Sequence, residues 1–353
     1  MKYGLTTLKG EKDMISQTAK YLKYAFRLTS QEMVLRDAFG EWLPDQIIDC
    51  HCHCNISDHT EKIDPRLINH PASTFSYFDL QWAEQAKHLL FSGKSVCSLY
   101  FSLPLFGIDF VNANQYLLNK ASALDRIALL GIPSEVDYTI SMLRRKEISA
   151  LKMYYLTTNP PATSLYDFFK PPILEEAQSL GKPIILHLPV AITSSMEDLL
   201  RLIKDFPRLV IILAHLGLPA YDHKDLINCY QILSEKKNLF ADTSMVTSSH
   251  AIWAALVTLG RGRILYGSDG PLNLIRGIKK ILPNVGQRIL TSYPYHWSDK
   301  TEKEANPILP TEMLHFHWHN LLAIKEAIEK LDDNANEIVA KVFYHNAKAI
   351  LSF

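Results

Sequence analysis

Short apolar runs recur along this chain, and most are followed by a longer stretch with helical spacing. The runs are Ile47–Cys50, Ser95–Phe101, Arg126–Gly131, Ala150–Tyr155, Pro183–Leu188, Leu209–Ala214, Leu239–Asp242 and Arg263–Gly267. They lack the polar alternation of a half-exposed strand, so they read as parallel strands covered on both faces. Asp79–Phe91, Ser134–Lys146, Leu174–Leu180, Ser195–Asp205 and Ser248–Leu259 read as helices between them. Eight strands alternating with helices predict an α/β fold, the (β/α)8 TIM barrel, which takes about 250 residues. The span from Ile47 to the C-terminus is long enough for it. A doubly wound open sheet is the structural rival, and it requires no particular residues at its strand ends.

Two segments lie outside the repeat. Residues 1–46 hold a helical pattern of Met14, Ile15, Tyr21, Leu22 and Phe26. We expect an N-terminal helical extension packed on the barrel, with a homodimer contact as the sharper alternative. Residues 272–318 follow the eighth strand and hold Pro283, Pro294, Pro307 and Pro310 among many aromatics. That composition predicts a long irregular loop, a lid-like insertion over the barrel mouth. The domain division is then 1–46 for the extension and 47–353 for the barrel.

Composition narrows the partners. The chain has 353 residues, 47% hydrophobic and 21% charged, an ordinary globular balance. Lys plus Arg equal Asp plus Glu at 37 each, so there is no general pull toward nucleic acid or an anionic membrane. Met1–Lys12 has no long apolar core, and no apolar run reaches bilayer length. Neither a secretory signal nor a membrane span is expected. Three of the five cysteines, Cys50, Cys52 and Cys54, crowd one segment, too close for a disulfide framework. A reducing, cytoplasmic location is expected.

Candidate chemistry lies at the strand ends. The first strand closes on His51-Cys52-His53, and side chains two apart share a strand face. Two imidazoles there can grip one metal ion. The fifth run ends in His187, the sixth leads into His215, and the eighth leads into Asp269. Each histidine alone reads as a hydrogen-bonded core residue. In a barrel, however, the carboxyl ends of all strands surround one opening. Four histidines and an aspartate gathered there point to a metal site. The alternating cysteines are expected to face away and pack as small apolar residues.

Other polar residues are less determinate. Lys152 lies inside the fourth strand, where an unpaired charge is costly. It binds a substrate carboxylate, or forms a structural ion pair, or is carbamylated between two metals. Tyr154 lines the pocket or packs at the rim. Asp242, ending the seventh strand, fits a hydrogen-bonding role behind the metal ligands rather than direct ligation. His315, His317 and His319 alternate with Phe316 and Trp318 where no strand is predicted, and read as a surface or loop cluster.

The segments IIDCHCH, ALKMYY, KPIILHLP, LVIILAHLG, NLFADTS, RILYGSDGP and VFYHNAKAIL occur in this order. With them the chain resembles the amidohydrolase superfamily. More narrowly, it resembles the branch that includes aminocarboxymuconate-semialdehyde decarboxylase and several lactone hydrolases. The resemblance runs from Ile47 to the C-terminus. It implies that His51, His53 and His187 are metal ligands and that Asp269 is a ligand that also handles protons. It places His215 beside the activated water. It implies one divalent metal, with zinc favoured by the nitrogen-rich set. The leading expectation is a hydrolase in which metal-activated water attacks an ester, lactone or amide of a small molecule. The alternatives are a non-oxidative decarboxylase of a small unsaturated or aromatic acid, and a catalytically lapsed binding protein. A decarboxylase needs a cation for the substrate carboxylate, for which Lys152 and Arg276 are the candidates.

Overall fold

Eight parallel strands pair in sequence order to form one sheet. They are β1 (Gln46–His53), β2 (Ser95–Phe101), β3 (Arg126–Leu130), β4 (Ile148–Met153), β5 (Ile184–Leu186), β6 (Ile211–Leu213), β7 (Leu239–Asp242) and β8 (Ile264–Leu265). The Cys50 N–H donates to Tyr266 O at 3.0 Å, and the Asp269 N–H to His51 O at 2.8 Å. A parallel bridge between Cys52 and Gly270 extends the same seam. These contacts bring β8 beside β1 and close a (β/α)8 barrel. The structure is a computed structural model describing residues 24–56, 75, 77–104, 108–218, 223–282, 286–291, 312–331 and 334–353. Among them no helix is long and apolar enough to cross a membrane.

The barrel interior is a layered apolar plug. Ile48, Leu99, Ala128, Ala150, Ile185, Ile212 and Leu265, one from almost every strand, form a single buried cluster. Ala347 and Leu351 of the C-terminal helix Asn346–Leu351 join it. Arg126, the first residue of β3, donates to Ser352 O at 2.9 Å, so this helix covers the amino ends of the strands. Polar side chains are thereby confined to the carboxyl ends. A second, larger cluster lies between the sheet and its helices.

β1 departs from regular alternation. Between Asp49 and Cys52 it advances three residues while β2 advances two, from Ser98 to Tyr100. This is a bulge, which puts an extra residue in one strand and reverses the facing of the residues beyond it. Cys50 therefore packs inside with Ile48, whereas Cys52 and Cys54 join the outer cluster. The expectation that all three cysteines face outward fails at Cys50 for this reason. Beyond the bulge, His51 and His53 turn inward against Phe101, at ring separations of 5.0 and 4.6 Å. The Asp49 carboxylate accepts from the His51 N–H at 3.1 Å and from the Ser268 N–H at 2.8 Å, holding the distorted backbone.

In its described part the segment after β8 is not the irregular loop its composition suggests. Its described part forms a three-stranded antiparallel sheet of β9 (Arg276–Leu282), β10 (Gly286–Thr291) and β11 (Leu314–His315). Pro283, Pro294, Pro307 and Pro310 all fall outside the described residues. The His-rich run is likewise not superficial. His315 ends β11, and His317 and His319 open the helix Phe316–Glu329, all buried. His317 packs edge-on against Phe91 at 4.9 Å.

The extension contributes the helix Ser30–Trp42, capped by the reciprocal Thr29–Glu32 pair; Met14, Ile15, Tyr21 and Leu22 lie outside the described residues. Glu32 is fully buried and takes Arg276 Nη2 at 2.7 Å, Arg276 Nε at 3.2 Å and the His315 N–H at 2.8 Å. Arg276 also donates to the carbonyls of Tyr24 and Arg27. One buried ion pair thus fastens the extension to β9 and β11. Removing one partner of such a pair leaves the other charged in a dry site, at a cost of about 3–5 kcal/mol. Glu32→Ala is therefore expected to destabilise the fold by about that amount, measured by urea denaturation. Glu32→Ala combined with Arg276→Met is expected to recover much of the loss.

Candidate active site

Four histidines on three strands are anchored in the same way. His51 Nδ1 donates to Asp242 Oδ2 at 2.9 Å, and His53 Nδ1 faces Ser102 O at 3.3 Å. His187 Nδ1 meets Leu188 O at 2.9 Å, and His215 Nδ1 meets Ser244 O at 2.8 Å. A carbonyl or carboxylate oxygen only accepts, so each Nδ1 carries the proton and each Nε2 keeps its lone pair. Burial supports the neutral form. It pushes His51 down to about 4 against the pull of Asp242, and His187 well below the usual histidine range.

Those lone pairs converge on one carboxylate. Asp269 Oδ1 lies 3.1 Å from His53 Nε2 and 3.3 Å from His51 Nε2. His51 Nε2 is buried with no hydrogen-bond partner. One ligand atom from each of His51, His215 and Asp269 lies within 4.8 Å of the others. Acceptors facing each other in a dry site repel unless a cation lies between them. Bonds of about 2.1 Å to a tetrahedral or octahedral ion separate neighbouring ligand atoms by about 3.0–3.4 Å. The observed spacings and the orphaned His51 Nε2 therefore fit a divalent metal. His187 lies one ring further, its centroid 4.9 Å from that of His215.

Behind this group, Asp242 is the common support. Its carboxylate accepts from the His51 ring, from the His215 N–H at 2.9 Å, and from both the N–H and the hydroxyl of Ser244. Burial opposes its charge, but His51 and these hydrogen bonds outweigh it and hold Asp242 below the usual carboxylate range. His215 and Asp269 both adopt left-handed backbone, at φ 55° and 58°. Such conformations cost energy and persist where their surroundings impose them. A Cβ on Gly267 would stand 2.8 Å from His51 Cβ, so only glycine lets β8 pass this close.

The family model described as Amidohydrolase matches residues 146–353, more than half of the chain. The chain belongs to the amidohydrolase family. The match spans β4 to β8 and includes His187, His215, Asp242 and Asp269; His51 and His53 lie before it and join the site through the fold. No curated protein sequence gives a significant match. Several solved structures share the architecture. The 5-carboxyvanillate decarboxylase of Novosphingobium aromaticivorans, complexed with manganese, is 14% identical, with a TM-score of 0.53 over 87% of this chain and 96% of its own. A Pseudomonas putida protein provisionally described as a 2-pyrone-4,6-dicarboxylic acid hydrolase is 15% identical, with a TM-score of 0.55 over 88% and 98%. An amidohydrolase from Burkholderia multivorans with bound zinc is 12% identical, with a TM-score of 0.56 over 87% and 99%. At these identities the likeness is one of fold.

Not every candidate in this amidohydrolase reaches the histidine group. The Arg276 guanidinium is consumed by Glu32 and two backbone carbonyls, so the expectation that it binds substrate gives way to a structural role. Tyr154 does border the site, edge-on to His187 at 4.6 Å. Ser244 and Asp49 hold His51 and His215 in place yet were not singled out, because short polar side chains carry no pattern of their own. Asn320 was also missed: its amide donates to Thr243 O and Val246 O, both at 2.7 Å, fixing the loop that carries Ser244. We expect the His51→Ala, His53→Ala double variant to lose stoichiometric metal, read by elemental analysis of the purified protein. Asp242→Asn, which disturbs only the support of the ligands, is expected to weaken metal binding about 10–100-fold, read by competition with a chelator.

Proposed function

We propose that this chain is a metal-dependent hydrolase that cleaves an ester, lactone or amide bond of a small molecule. The observation that carries the reading is the convergence of the His51 and His53 Nε2 atoms on Asp269 Oδ1. His51, His53, His187 and Asp269 would hold the metal, and their nitrogen-rich donor set favours zinc. When bound, a divalent ion supplies Lewis acidity, polarising a carbonyl and making water nucleophilic near neutral pH. Asp269 Oδ2 accepts no hydrogen bond among the described residues, so it is free to take a proton from that water. His215 serves the second half of the reaction. Its Nδ1–H is committed to Ser244 O, so Nε2 is an acceptor. It would steady an oxyanion only after receiving from Asp269 the proton taken from the water, and it would then deliver that same proton to the leaving group.

A decarboxylase on the same scaffold is the second reading, favoured by the buried cation of Lys152 near the ligands. Fold alone does not choose between these reactions. The intact constellation of polar residues argues against a lapsed binding protein. The test is a screen of zinc-loaded protein against lactones, esters, amides and unsaturated aromatic acids in 18O-labelled water. Hydrolysis places the label in the product, and Asp269→Asn is expected to lower kcat by at least about 10²-fold. Carbon dioxide released without label uptake would replace hydrolysis with the lyase reading. Metal binding without turnover of any compound would favour the binding protein.

A further inference from the structure

Among the described residues, Lys152 is a strand-borne cation inside the barrel that the proposed chemistry does not use. Ala150 lies in the inner cluster, and β4 is regular from there, pairing Leu130 with Lys152. Side chains two apart share a face, so Lys152 also points inward, one layer above Ala150. Only 1% of its surface is exposed. Its Nζ lies 5.1 Å from the centre of the Phe101 ring and 6.0 Å from that of Tyr154. Phe101 packs on His51 and His53, and Tyr154 on His187, so the ammonium stands between the two aromatic walls of the histidine group.

Among the described residues Lys152 lacks an acceptor. Among the described residues no carboxylate comes within 4.0 Å of Nζ and no oxygen accepts from it. The structural ion pair that was one of the expectations is therefore absent among the described residues. Asp242 and Asp269 act on it only through space, and burial draws it down to about 8 despite them. Two ring faces compensate a buried ammonium only in part. Among the described residues its N–H donors meet no acceptor, and a buried donor left unmet is costly.

We infer that Lys152 is the anchor for an anionic group of the substrate, a carboxylate held between Phe101 and Tyr154 beside the metal ligands. The inference rests on the barrel-mouth site of the proposed function but not on which bond is cleaved there. It makes Lys152 a specificity-determining residue: an uncharged analogue of the right shape leaves the ammonium unpaired and is rejected.

The probes are benzoate and its neutral isostere benzamide, titrated calorimetrically into zinc-loaded protein. Benzoate is expected to bind at least about tenfold more tightly than benzamide, and Lys152→Met to abolish that preference. Lys152→Met is also expected to keep the zinc stoichiometry and raise Tm, because it removes a buried unpaired charge. Failure of benzoate to bind, equal binding of the two probes by the native protein, or an unchanged benzoate affinity in Lys152→Met each overturns the assignment. So does a carbamate 13C signal at Lys152 from labelled bicarbonate. Absence of zinc in the native protein would instead refute the hydrolase reading. The two probes, titrated again into metal-free protein, would still decide the role of Lys152 and need no variant.

Discussion

The buried carboxylate of Asp242 is the interaction on which the site depends. A charge with no exposure to water must be met by donors from every side. Here the donors come from three different strand ends: the His51 ring after the bulge of β1, the His215 backbone beyond β6, and Ser244 beyond β7. Satisfying Asp242 therefore fixes the tautomer of one histidine, imposes the left-handed turn that presents another, and seats the serine between them. Asp269 is then the natural meeting point for Nε2 lone pairs already turned toward it.

The barrel supplies the convergence, but local irregularities do the aiming. Regular alternation in β1 would put Cys52 and Cys54 on the face of Ile48 and turn His51 and His53 toward the outer helices. One extra residue, held by Asp49, reverses this. Gly267 then removes the side chain that would collide with His51. The extension, the added sheet and the His-rich helix form a supporting tier. Glu32 and Arg276 lock its lower part, and Asn320 reaches from its helix to the loop carrying Ser244.

The residues that were legible and those that were not differ in kind. His51, His53, His187, His215 and Asp269 stood out because each ends a strongly apolar run, where a titratable side chain needs a reason. Asp242 was legible by the same signal. Arg276 and His315 were misread because their partner Glu32 lies more than two hundred residues away, and His317 and His319 because they are buried against Phe91 and Gly277 O, which are equally outside the run. The added sheet was misread because proline and aromatic content suggested a loop, while pairing of β9 with β10 and β11 depends on register.

The sequence by itself determined the alternation of buried strands and helices, hence the barrel, and through the superfamily motifs the family. Both derive from burial patterns and residue types that are local along the chain. Only the tertiary structure decided which way His51 and His53 face, that Arg276 is spent on an ion pair, and that Lys152 has no acceptor among the described residues. A bulge, a buried pair and an unmet donor are properties of what lies across a strand or beneath a helix. No stretch of the chain contains both sides of such a contact.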